Sequence, residues 1–418
     1  MLGLYVHIPF CVSKCKYCDF NSYKLNVDKK RKYLKALQKE MEFYKEEVES
    51  NEIDTIFIGG GTPSILNENE IKFLFDNIKS NFNVKKDAEI TMECNPGTLT
   101  VDKLKTMKKC GVNRLSMGLQ AVQNHHLNYI GRIHTYEEFE KNYNQAKEVG
   151  FENINIDLMY ALPNQSEKDW IKSLEKIVKL NPSHISAYSL ILEEGTELFN
   201  MYERKEFKLL DEDTDIKMYE YTINYLKANG YNQYEISNYA KKGYECKHNI
   251  LYWKCKNYVG LGASSSGFLN KTRYNNVCDL DEYEKIIYSG KKPLEWEEKL
   301  SIKDEIEENI FLGLRMNEGI SFEYFLKKYN FNFKEEYKNE ISKLKKTGLI
   351  HVDDKSIALT QKGREISNSV FVEFIKWKSK LLKNCWQWKN NVIYNIYNLF
   401  STRKWWVLTA KEVFKKWN

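Results

Sequence analysis

Over its first 235 or so residues the chain alternates short apolar, partly β-branched runs with amphipathic stretches, and no other feature narrows its fold so far. The runs predict strands over 4–8, 55–58, 89–93, 114–117, 153–157 and 184–190, with the character of buried parallel strands. Between them, apolar residues recur every three or four positions, as at Leu34, Leu37, Met41, Tyr44 and Val48, or at Trp170, Leu174 and Ile177. That is helix periodicity. Six β–α units of this kind call for right-handed crossovers in a parallel barrel or open sheet.

In such folds chemistry collects at the carboxyl ends of the strands. The first strand runs into a cysteine-bearing loop, and the second ends in Gly59-Gly60-Gly61-Thr62-Pro63. The third ends at Glu93, the fourth at Gln120 and the fifth at Asp157. Each alone serves equally well as a helix cap or a turn. Five polar or glycine-rich ends on one side point to a site.

The cysteine loop reads Cys11-Val12-Ser13-Lys14-Cys15-Lys16-Tyr17-Cys18, a C-x3-C-x2-C spacing. A structural zinc site wants four ligands, and the next cysteine is Cys94, leaving only His7 or Asp19 nearby. A disulfide framework suits neither the length, nor the odd count of nine cysteines, nor the lack of a secretion signal. A 4Fe-4S cluster on three thiolates fits better, because its fourth iron stays free to bind something that reacts. The remaining cysteines, at 94, 110, 246, 255, 278 and 385, are scattered and read as inert thiols.

The run from Tyr5 to Phe20 resembles the radical S-adenosylmethionine (SAM) superfamily. Within it, the run is similar to the branch holding the oxygen-independent coproporphyrinogen III oxidases (HemN) and the haem chaperones (HemW). The resemblance implies an α/β fold: a partial (β/α)6 barrel followed by a smaller C-terminal domain. It implies that Cys11, Cys15 and Cys18 hold the cluster. It also implies that Tyr5, Gly60, Gly61, Thr62, Glu93, Gln120, Arg132 and Asp157 contact SAM, whose carbon–sulfur bond an electron from the cluster can cleave. Oxidases of the branch carry a fourth cysteine two residues after the third, where this chain has Phe20. They also carry an extension ahead of the barrel, whereas Tyr5 stands near the start here. Both departures point to the chaperone side.

Further on, Tyr231–Tyr239 is aromatic-rich and strand-like, and His248-Asn249-Ile250-Leu251-Tyr252-Trp253 is similar to a run tied in the chaperones to haem binding. A lone histidine is more often a satisfied core residue; with Asn249, Tyr252 and Trp253 beside it, His248 becomes the candidate haem contact. Residues 303–376 read as a winged-helix-like module, with helices at about 304–316, 321–329 and 334–347, then two short strands around Asp353-Asp354. The expected division is therefore a barrel over 1–235, a C-terminal domain over 236–376 and an extension over 377–418. That extension holds six of the nine tryptophans and nine Lys/Arg against one acid, Glu412. A disordered extension, an amphipathic helix on anionic lipid and an added packed helix compete as readings of it.

Without the tail the chain is near neutral, so it carries no electrostatic footprint for nucleic acid. No apolar run approaches the roughly 20 residues needed to span a bilayer, and a cytoplasmic protein is expected. The function expected is a haem chaperone carrying a 4Fe-4S cluster and SAM. Its expected partners are haem, a haem-acceptor protein and an electron donor, with a homodimer as one assembly. The alternative is a coproporphyrinogen III oxidase or another radical SAM enzyme acting on a tetrapyrrole.

Overall fold

A computed structural model of the chain describes residues 1–376. The six expected strands form, each longer than or close to its apolar core. They are β1 (Leu2–Ile8), β2 (Ile53–Gly60), β3 (Val84–Cys94), β4 (Arg114–Gln120), β5 (Asn153–Tyr160) and β6 (His184–Ser189). They lie side by side in sequence order, every neighbouring pair parallel. The helices between them pack their apolar faces on one side of the sheet. α1 (Val27–Val48) buries Leu34, Leu37, Met41, Tyr44 and Val48, the residues whose spacing predicts it.

Sequence signals also fix where these helices start. Asn67 with Glu70 opens α2 (Glu68–Asn81), and Ser166 with Asp169 opens α5 (Glu167–Leu180), each as a reciprocal capping box. Between them run α3 (Val101–Cys110) and α4 (Tyr136–Glu148).

The sheet does not stop at the sixth strand. A hairpin of β7 (Asn232–Glu235) and β8 (Asn238–Ala240) adds antiparallel to β6. At the opposite edge β9 (Asn257–Leu261) lies parallel to β1. From β9 the sheet continues as a meander of β10 (Ser266–Leu269), β11 (Thr272–Asn276) and β12 (Leu294–Lys299). The result is an open twelve-stranded sheet, β12-β11-β10-β9-β1-β2-β3-β4-β5-β6-β8-β7. Residue 235, the expected boundary, falls inside this sheet.

After Lys299 a second, smaller core forms around Ile306, Ile310, Phe325, Phe333, Leu344 and Ile357. It is built on helices Ile302–Leu314, Phe322–Tyr329 and Lys338–Lys346 and on a three-stranded sheet of Ile320–Ser321, Ile350–Val352 and Ser356–Leu359. Helices followed by a short antiparallel wing match the expected module. Among the described residues no helix is long and apolar enough to cross a membrane. The tail from Trp377, with the readings offered for it, lies outside the described residues.

Candidate cluster and SAM cavity

β1 delivers the cysteine loop. Past Ile8 the chain pairs Phe10–Cys11 with Tyr23–Lys24, and the Leu25 N–H donates to the Cys11 carbonyl at 2.8 Å. Lys16 N–H donates to Ile130 O at 3.0 Å, and Lys16 O accepts from Leu198 N–H at 2.7 Å. Segments after β1, β4 and β6 thus hold the loop in place. Cys11, Cys15 and Cys18 line one cavity. The Thr62 hydroxyl donates to Cys11 Sγ at 3.4 Å, and the Arg132 guanidinium reaches Cys15 Sγ and the Tyr17 hydroxyl, both at 3.5 Å.

Burial, then the neighbouring Cys15, pushes the Cys18 thiol up to about 12, and burial also raises Cys11. Loading the loop with metal must therefore expel protons. Among the described residues no three His, Cys, Asp or Glu side chains gather tightly enough for a single metal ion. A cluster presents several irons across a larger volume, and three separate thiolates suit its corners.

The cavity, about 320 Å³, opens at the carboxyl ends of the strands, and Tyr5, Gly60, Gly61, Thr62, Glu93, Gln120, Arg132 and Asp157 all line it. The glycine strap is there because nothing larger fits. A Cβ on Gly61 would stand 2.8 Å from Phe10 O and 3.0 Å from Cys11 Sγ, and Gly60 sits at φ 111° with the His7 ring 2.6 Å from where its Cβ would be. The strap is thereby pressed directly on the cysteine loop.

Gly60 N–H donates to Glu93 Oε2 at 3.1 Å. Burial, then Asp157, raises Glu93 to about 8, and burial raises Asp157. Two half-buried carboxyls facing a cavity, with the Arg132 Nε buried and without a hydrogen-bond partner, fit a ligand carrying both cationic and anionic groups. SAM, with its sulfonium, ammonium and carboxylate, is such a ligand.

Sequence reasoning overlooked His7 as a cavity residue, along with Arg114, Asn155 and Tyr188, which also line it. Strand parity could have found three of them, because residues two apart share a face: Tyr5 implies His7, Asp157 implies Asn155, and Gln120 carries the pattern back to Arg114 by even steps.

His248 also lines this cavity, at the end away from the cysteines. It stands on a short helix, α6 (Lys247–Trp253), which precedes β9. Its partners lie low in the sheet: Gly3 pairs with Thr55, and Thr55 with Glu89. From Gly3 to His7 along β1 is roughly 13 Å at strand rise, and the cysteine loop lies beyond.

An open sheet with a parallel core that carries three loop cysteines and a glycine strap over a carboxylate-lined cavity defines a radical SAM protein. Residues 5–177 match the Radical SAM superfamily, and residues 300–366 match the HemN C-terminal domain. The chain is 38% identical over 376 residues to heme chaperone HemW of Bacillus subtilis (strain 168), spanning 90% of this chain and 99% of that protein. It is 39% identical over 371 residues to heme chaperone HemW of Lactococcus lactis subsp. lactis (strain IL1403), spanning 89% of this chain and 96% of the relative. Among solved structures, coproporphyrinogen III oxidase (HemN) from Escherichia coli aligns with a TM-score of 0.79 at 25% identity, covering 89% of each chain. The chain belongs to the HemW family, and its superfamily carries a 4Fe-4S cluster and SAM.

Proposed function

We propose that this protein is a haem chaperone that binds haem as cargo and passes it to an acceptor protein, with a 4Fe-4S cluster and SAM held in the cavity above. The observation that carries this reading is likeness to heme chaperones along nearly their whole length, together with Phe20 at the position where oxidases of the branch place a fourth cysteine.

In this reading Cys11, Cys15 and Cys18 hold the cluster, which when bound supplies an electron to SAM. The chain's own groups bind and orient. The strap of Gly60, Gly61 and Thr62 offers backbone at close approach, Glu93 and Asp157 face the cationic groups of SAM, and Arg132 faces its carboxylate. Tyr5 and Gln120 wall the cavity, with Gln120 Oε1 held by the Tyr188 hydroxyl at 2.9 Å. Coproporphyrinogen III oxidation is the second reading, favoured by the likeness of fold to the HemN oxidase.

One anaerobic, reconstituted preparation separates the two. Haem titration followed optically, and chromatography of porphyrins after adding coproporphyrinogen III, SAM and a reductant, should give haem binding without decarboxylated product. Substantial SAM-dependent decarboxylation with no haem uptake would restore the oxidase.

A further inference from the structure

The run from His248 to Trp253 is engaged at His248, Tyr252 and Trp253. His248 is 1% exposed. Its Nδ1 lies 2.8 Å from the Thr55 hydroxyl and its Nε2 lies 2.7 Å from the Tyr252 hydroxyl. A neutral imidazole has one donor and one acceptor, and two hydroxyls satisfy both. The ring packs 5.3 Å from the Phe57 ring, and Gly3 makes room for it: a Cβ there would stand 3.2 Å from His248 Cε1.

The backbone is fixed as firmly. Glu89 on β3 accepts from the Lys247 and His248 N–H groups, both at 3.1 Å. Tyr252 stacks edge-on against Tyr258 of β9 with ring centroids 4.6 Å apart. Trp253, also 1% exposed, turns the other way. It packs with Leu312 and Met316 of the C-terminal module, under the Arg315 guanidinium at 4.7 Å.

We infer that the His248–Trp253 segment is a pin that fastens the C-terminal module to the floor of the barrel, and that His248 does not ligate the iron of haem. For either ring nitrogen to reach iron it would have to give up a buried hydroxyl partner, and a porphyrin would have to displace Phe57 or Tyr252, the rings packed on the imidazole. The cavity that His248 lines, at about 320 Å³, lies at the small end of the roughly 300–1,000 Å³ typical of ligand pockets. Burial, then the Arg114 charge, holds His248 down to about 3, in keeping with a neutral hydrogen-bonded ring. The exclusion of ligation rests on the chaperone reading; the pin does not.

The test uses the full chain with its cluster reconstituted and four variants: Thr55→Val, Tyr252→Phe, His248→Ala and His248→Gln. Amide hydrogen exchange over residues 246–254 is measured without haem, and the position of the main haem absorption band is measured after loading. For a pin, Thr55→Val, Tyr252→Phe and His248→Ala each speed exchange in that segment by about tenfold or more, as loss of a buried hydrogen bond does. His248→Gln, whose amide still meets both hydroxyls, exchanges more slowly than His248→Ala, and the haem band stays in place throughout. Should His248→Ala fail to fold, the two partner variants and His248→Gln decide. Unchanged exchange in Thr55→Val and Tyr252→Phe overturns the pin. A haem band shifted in both His248 variants and in neither partner variant overturns the exclusion of ligation. Wild type that takes up no haem at all sinks the chaperone reading, while the exchange result still decides the pin.

Discussion

At Gly61 a single methyl group is enough to separate the two halves of the site. Because a Cβ there would press within 3.0 Å of the Phe10 backbone and Cys11 Sγ, and backbone atoms do not swing aside, Gly61→Ala should push the strap off the cysteine loop. Overpacking of this kind costs about 1–3 kcal/mol, which should appear as a roughly tenfold loss of SAM affinity by calorimetry on reconstituted protein. Unchanged affinity would show that the strap yields. The thiols permit a plainer expectation: replacing Cys11, Cys15 or Cys18 singly by Ala removes bound iron and sulfide, measured by elemental and sulfide analysis. A triple variant that retains full stoichiometry would refute the assignment. These residues were legible because cysteine spacing and glycine runs are local signals. Arg114 was legible only through strand parity with Gln120, since one charged residue at the head of an apolar strand otherwise looks like a solvent-facing end until the sheet folds it inward to 2% exposure.

Between elements, the least foreseeable contact joins α1 to the return of the chain after β9. Glu40, on the buried face of α1, accepts from the Gly262 N–H and the Tyr283 hydroxyl, both at 2.6 Å, and from Asn276 Nδ2 at 2.6 Å. Its partners lie more than 220 residues away, so no periodicity marks it. Burial pushes its carboxyl up to about 7, against an unfolded value of roughly 4.3. The folded chain therefore holds a proton that the unfolded chain has released. Stability from this group is present below the unfolded value and is lost as pH rises through about 7, a change on the order of 3 kcal/mol. Wild type should lose stability relative to Glu40→Gln between pH 5 and 8, read from urea denaturation at both ends; a pH-independent difference would mean that Glu40 is not titrating. The strands from β1 to β6 were legible because each is an apolar run between turn signals. β9 escaped notice because Asn257–Leu261 runs into a glycine- and serine-rich stretch, and only its place beside β1 makes it a strand.

For the whole molecule, the question is what holds the smaller core against the sheet. The helices and wing of that module follow from its own periodicity, but its docking does not, because the charges that form the joint look like ordinary surface charges in the sequence. Arg273 on β11 meets Glu308 on helix Ile302–Leu314 through two parallel bonds, Nε to Oε1 at 2.7 Å and Nη2 to Oε2 at 2.5 Å, with both side chains buried. Arg273 also stacks 4.7 Å over the Phe268 ring. A buried pair of this kind adds little net stability, since desolvation offsets the attraction, yet removing one partner leaves a bare charge in the core at about 3–5 kcal/mol. Arg273→Met alone should therefore loosen the module by that amount, whereas Arg273→Met with Glu308→Leu should recover most of it. Hydrogen exchange over residues 302–314 reads the joint directly, without assuming that the two cores unfold together. A double variant as loose as the single would mean that the pair contributes attraction in its own right, and that the joint depends on charge rather than on packing.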